Sequence, residues 1–206
     1  MPDRVVVFSD EQNVYNEARR AFFEENDHYT RRNTNPYDLA KLLTDKKPTG
    51  HSNDRILQEV RIYTGMPSPA REPTIAAAVQ RRVEAWKLAG VTVITRPLRY
   101  LTPTSKGDQK GIDVAMAIDI VDLALADVYD VGILCCVDQD MHPVLEFVGK
   151  NCPEVRLEVS TWRSDKHSRQ VRVAGVYNWN HRLGYADYQG VCDHTNYSAA
   201  PMNLNE

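Results

Sequence analysis

The stretch VGILCCVDQDMHP, residues 131–143, decides the fold. An uninterrupted apolar run that ends abruptly in polar residues suits a strand buried on both faces, as in a parallel sheet. Ligands of open α/β sheets bind outside the carboxyl ends of such strands, where Asp138 and Asp140 fall. If the strand continues through them, residues two apart share a face. Two carboxylates packed that closely repel unless a cation lies between them. The alternative is a solvated strand-to-helix turn, with Asp140 capping a helix that starts near Pro143.

Working outward, Pro143 to Gly149 reads as that helix and Val155 to Ser160 as the next strand. Towards the N-terminus, Arg4-Val-Val-Val-Phe8 is a short apolar strand that runs into Ser9-Asp10-Glu11-Gln12-Asn13, with a helix from about Asn13 to Glu25. Asp10 therefore also ends a strand, as a helix cap or as a site residue, and Asn13 follows three residues on. Gln58 to Tyr63 alternates as a second strand. Thr74 to Leu88 is helical by the recurrence of Ile75, Val79, Val83 and Trp86 at three- and four-residue spacing. Val91 to Thr95 is a third strand, followed by Arg96, Arg99 and Tyr100, a basic and aromatic mix suited to holding a nucleic-acid strand. Strands alternating with helices in this way imply a doubly wound, mostly parallel α/β sheet of about five strands flanked by helices.

One further helix runs from Gly111 to about Ala126. GIDVAMAIDIVDLALA is apolar nearly all round, which predicts burial against the sheet. Its acids are Asp113, Asp119 and Asp122. At about 100° per residue, Asp113 and Asp122 fall on opposite sides, and Asp119 lies about 120° from Asp113. Asp113 sits in the first turn, where a carboxylate favours the helix dipole. Acids buried on so apolar a helix need partners, which turns the expectation towards a site.

At 206 residues, with 42% hydrophobic and 26% charged residues, the chain is long enough for a sizeable core and ordinary for a globular protein. A formal net charge of -3 excludes a generic nucleic-acid coat but leaves room for a local basic groove. Basic candidates are Arg31, Arg32, Arg96, Arg99 and Lys166. No run approaches the roughly 18 apolar residues of a membrane span, and no signal sequence opens the chain, so a cytoplasmic protein without a membrane partner is expected. The four cysteines (135, 136, 152, 192) fit neither a disulfide framework nor a zinc knuckle. His181, Asp193 and His194 match no standard metal spacing.

A polar insertion over about 26–54 holds one short helix, Pro36 to Leu43, capped by Asn35. The expected division is a domain over 1–165 and an aromatic-rich C-terminal extension over 166–206, packed on the domain or extending from it.

Asp10, Asp113, Asp138 and Asp140 thus converge on one edge of the sheet. Hard cations with oxygen ligands, Mg²⁺ or Mn²⁺, are the natural occupants of such a cleft, and they serve phosphoryl chemistry. These residues also carry a family resemblance. FSDEQNVY resembles the first-strand motif of the NYN domain family, which has the PIN-like nuclease fold. KGIDVAMAID is similar to that family's Lys-Gly-Val-Asp helix start, and ILCCVDQDMHPVLE to its Ser-Gly-Asp-Ser-Asp-Phe strand end. Order and spacing agree over roughly residues 4–165. The resemblance implies a metal-dependent ribonuclease with Asp10, Asp113, Asp138 and Asp140 as metal ligands. It further implies that Asn13 positions metal or substrate and that Lys110 contacts phosphate.

Three departures stand out. Glu11 adds an acid, Cys136-Val137 replaces Ser-Gly, and Met141 replaces Phe. RNA, single-stranded or structured, is the expected partner, with a homo-oligomer allowed. The rival readings are a catalytically silent RNA-binding module and a toprim-like phosphotransfer enzyme that uses Glu11.

Overall fold

The structure, a computed structural model, describes residues 1–24, 26–27, 33–48, 53–102, 104–173, 175–176 and 178–199. Arg31 and Arg32 lie outside the described residues. Six parallel strands form one sheet in the order β3-β2-β1-β4-β5-β6: β1 Asp3–Asp10, β2 Arg55–Met66, β3 Thr92–Pro97, β4 Val131–Cys135, β5 Arg156–Trp162 and β6 Trp179–Leu183. The helices are α1 Glu11–Phe22, α2 Pro36–Asp45, α3 Pro73–Leu88, α4 Ile112–Leu125, α5 His142–Asn151 and α6 Tyr185–Val191. The expected doubly wound α/β sheet is present, with a sixth strand that the sequence did not reveal.

Strand alternation sorts the core into two layers. Val6 and Phe8 of β1, Tyr63 of β2 and Leu134 of β4 pack with Ile112, Met116 and Ile120 of α4 and Leu145 of α5. Val5, Val7, Ile62 and Ile133 face the other way, against Val14 and Ala18 of α1, Leu39 and Leu43 of α2, Trp86 of α3 and Tyr188 of α6. β1 and β4 are neighbours, so the winding direction reverses between them. Their carboxyl ends form the crevice in which such sheets bind ligands.

Several sequence expectations are corrected. β4 stops at Cys135, so Asp138 and Asp140 lie beyond it in a single 3₁₀ turn, Gln139–Met141, and share no strand face. Asp138, not Asp140, caps that turn, accepting from the Asp140 backbone N–H at 3.1 Å. α4 is not buried all round: Val114, Ile118 and Leu125 are 60–61% exposed. Nor are its acids buried without partners. Asp113 and Asp122 are exposed, and Asp119 is half-buried, accepting from Arg61 Nη2 at 2.8 Å and from Tyr63 OH at 2.7 Å on β2.

Asn35 does cap α2, accepting from the Tyr37 and Asp38 backbone N–H groups. β6 returns to the sheet through a crossover, helix-free among the described residues, that the Asn180 side chain fastens. It accepts from Val171 N at 2.9 Å and donates to Val171 O at 3.0 Å.

β6 also completes a buried polar cluster. Glu158 of β5 takes two hydrogen bonds from Arg55 of β2, at 2.5 and 3.1 Å, and one from His181 of β6 at 2.6 Å. Burial works against the Glu158 carboxylate, yet the hydrogen bonds and charges of His181 and Arg55 hold it below the ordinary carboxylate range. His181 is therefore a structural partner and not a metal ligand with Asp193 and His194. Asp193 caps its own turn, accepting from Thr195 N, and accepts from Tyr197 OH; His194 Nε2 lies 3.1 Å from Cys192 Sγ. Among the described residues no helix is long and apolar enough to cross a membrane.

Candidate functional site

Asp10 shares the face of Val6 and Phe8, so its side chain leaves the end of β1 on the α4 side of the sheet. There Asp113 occupies the first turn of α4. That helix can begin where it does because Gly111 takes φ +75°, a left-handed conformation in which a side chain would be strained. Asp10 is 8% exposed and caps α1 by accepting from the Asn13 backbone N–H at 3.0 Å. Burial pushes its carboxyl up from 3.8 to about 6; the negative charges of Glu11 and Asp113 add to the rise, and the Asn13 N–H opposes it.

Cys136, buried just beyond β4, registers the same crowding. Burial raises its thiol first, and the charges of Asp10, Asp138 and Asp113 raise it further. Asp10, Asp113 and Asp138 therefore all lie near enough to Cys136 for their charges to act on it. Asp140 follows in the turn that Asp138 caps, and both are exposed. In place of a hydroxyl, Cys136 presents a neutral thiol.

Asn13 joins the two strand ends. Its Oδ1 accepts from the Val137 backbone N–H at 3.2 Å, so the side chain fixes where the segment carrying Asp138 leaves β4. The added acid Glu11 points elsewhere: it pairs with Arg82 of α3 at 3.0 Å and accepts from Thr64 Oγ1 at 3.3 Å. That commitment weakens the toprim-like reading.

Lys110 is exposed, 3.5 Å from Asp108, at the mouth of α4. Arg96 is the penultimate residue of β3 and Arg99 follows the strand, both exposed; the Arg99 backbone pairs with Asp108, which folds this loop back beside Lys110. Lys166 lies across the molecule, paired with Glu24 at 2.9 Å.

Sequence reasoning overlooked Glu17. It is 2% exposed on the inner face of α1 beside Val14, Ala18 and Ala21, held by His167 at 2.7 Å, Arg20 at 2.5 Å and Arg169 at 3.4 Å. An acid at helical spacing within an apolar stripe was the available signal. Burial opposes its charge, but these partners keep its carboxyl below the ordinary value.

The all-carboxylate donor set suits a hard divalent cation chemically. Among the described residues, however, no three acidic, histidine or cysteine side chains stand close enough together to hold an ion between them as arranged.

Comparison with known proteins identifies the family and agrees with the fold. The family model described as NYN domain matches residues 4–173. Among solved structures, a protein of unknown function from Vibrio parahaemolyticus has a similar fold, with a TM-score of 0.56 at 16% identity, over 88% of this chain and 93% of that one. At that identity the likeness speaks for the fold alone. No curated protein matches.

Proposed function

The chain belongs to the NYN domain family of PIN-like nucleases, and from that premise we propose that it is a divalent-metal-dependent RNA endonuclease. The observation that carries the reading is the placement of Asp10, Asp113 and Asp138 at the β1/β4 crevice, where the charge of Asp113 adds to the burial that raises the Asp10 carboxyl. Repulsion of that kind is relieved by a cation and is otherwise a standing cost.

In this reading Asp10, Asp113, Asp138 and Asp140 hold Mg²⁺ or Mn²⁺. A bound ion would lower the pKa of a ligated water and would act as a Lewis acid for a phosphate oxygen. Asn13 keeps the Asp138 segment in register with Asp10. Lys110, Arg96 and Arg99 take the phosphates entering along the α4 side, which supports an RNA partner for a chain whose net charge is -3. The fully charged form of Asp10 is the one that binds metal, so its raised carboxyl makes metal and protons competitors at this residue.

A second reading, an RNA-binding module without turnover, draws support from the spacing of the carboxylates, no three of which come together among the described residues. Cleavage of a mixed-structure RNA by wild type and Asp138→Asn, with Mg²⁺, with Mn²⁺ and with chelator, separates the two. The nuclease reading expects metal-dependent cutting that the substitution abolishes in a folded protein. Salt-sensitive RNA binding without cutting would move the assignment to the silent module.

A further inference from the structure

Beside the crevice, on the α1/α3 side, lies a cavity of about 700 Å³. Its size is that of a small-molecule site. Ile75, Ala78 and Val79 of α3 form one wall. The helical spacing that marks Ile75, Val79, Val83 and Trp86 as a core stripe divides here. Val83 and Trp86 are buried, at 1% and 4% exposure, while Ile75 is 53% exposed and opens onto the cavity.

The opposite wall comes from Gln12, Tyr15 and Asn16 of α1, the helix that Asp10 caps. Five to six residues at 1.5 Å each put Tyr15 and Asn16 roughly 8 Å along the axis from Asp10.

The third wall is the segment around Thr195 and Tyr197, and it is fastened in place. Thr34 and Cys192 form an antiparallel bridge, Asp193 N donates to Asn33 O at 2.9 Å, Arg81 Nε donates to Tyr197 O at 2.7 Å, and Tyr197 OH donates to Asp193 at 2.8 Å. The two charged groups on the lining, Glu11 and Arg82, neutralise each other in their ion pair, and Arg82 also lies over the Trp86 ring at 4.9 Å.

Among the described residues the lining therefore offers two tyrosine rings, apolar helix walls, three side-chain amides (Gln12, Asn16, Asn33) and no net charge. An anion finds no uncompensated cation among those described residues. A flat, neutral, hydrogen-bonding heterocycle finds stacking faces and amide donors and acceptors, the groups that read base edges. We propose that this cavity is a nucleobase pocket, taking the base of an RNA nucleotide adjacent to the one whose phosphate occupies the acidic crevice. The inference rests on the nuclease reading for the identity of the polymer, but it makes a separate prediction about base dependence.

The test uses the full chain carrying Asp138→Asn, so that no substrate is consumed. Binding of a labelled single-stranded RNA hexamer is compared with that of a hexamer abasic at every position, which has the same phosphates. The pocket predicts about tenfold tighter binding of the base-bearing strand, the scale of one stacked base. Ala78→Trp, which pushes a bulky side chain into the cavity, and Tyr15→Ala, which removes a stacking face, should each bring that ratio close to one while the abasic strand binds as before. The Tyr15 variant keeps the test decisive should the Trp variant misfold. Equal affinity for the two hexamers, or a ratio unmoved by Tyr15→Ala, overturns the pocket. If the wild-type chain nevertheless cuts RNA with metal, the nuclease reading survives that loss. Base-dependent binding through the pocket without any cleavage by wild type has the reverse meaning.

Discussion

Asp10→Asn should stabilise the folded chain while removing its proposed activity. Burial and the charges of Glu11 and Asp113 raise Asp10 from 3.8 to about 6, so at pH 7.5 the folded protein must carry an ionised group it disfavours. At 1.36 kcal/mol per pKa unit the cost is about 3 kcal/mol. A group whose folded pKa is raised contributes fully below its unfolded pKa and loses that contribution as pH rises. The penalty is thus under about 1 kcal/mol at pH 4, grows between 3.8 and about 6, and is complete above that. Asn removes the charge, keeps the shape and caps a helix about as well as Asp, so the N-cap to Asn13 is retained.

The measurement is guanidinium or thermal unfolding in chelator, at pH 7.5 and pH 4, for wild type, Asp10→Asn and the exposed Asp138→Asn as control. For a chain of this length, a gain approaching 3 kcal/mol raises the melting temperature by roughly 6–10 °C. Asp138→Asn should stay within about 0.5 kcal/mol of wild type, as exposed substitutions do. Excess Mg²⁺ should narrow the gap at pH 7.5 by stabilising wild type alone. An Asp10→Asn chain no more stable than wild type at pH 7.5, or one with the same difference at both pH values, would refute the electrostatic account of the crevice.

Asn13→Ala removes the acceptor for Val137 N; it should cost about 1–3 kcal/mol of stability and lower kcat more than it raises KM, read by denaturation and steady-state cleavage. Arg55→Met leaves Glu158 buried with His181 alone and should cost about 3–5 kcal/mol in chemical denaturation. Because Glu158 is held below 4.5 in the fold, its contribution is complete above that value and lost as pH falls below it, so Arg55→Met should also shift acid unfolding to higher pH. Replacing Arg96 and Arg99 together by Gln should reduce the slope of log affinity against log salt by roughly 1.4 for single-stranded RNA, measured by anisotropy. An unchanged slope would remove both residues from the RNA path.

The sequence by itself determined the winding of the sheet. Apolar runs at Val5–Phe8 and Val131–Cys135 are buried on both faces wherever they pack, and their polar ends must then meet at a crevice. It likewise marked Asp10, Asp113 and Asp138, because strand ends and helix first turns are local features. What it could not carry depends on partners distant in the chain. Asp119 joins Arg61 and Tyr63, Glu11 joins Arg82, and His181 joins Glu158 and Arg55. Each is an ionisable group whose role is set by which charge the fold brings within hydrogen-bonding distance. The sixth strand escaped notice for a related reason: β6 has no apolar alternation, and side-chain bonds from Asn180 and the buried Glu158 cluster hold it in place. The cavity beside α3 is the last case. Periodicity shows that Ile75 and Val79 belong to a helix face, but only the packing of α1 and the C-terminal segment decides whether that face meets the sheet or encloses space for a ligand.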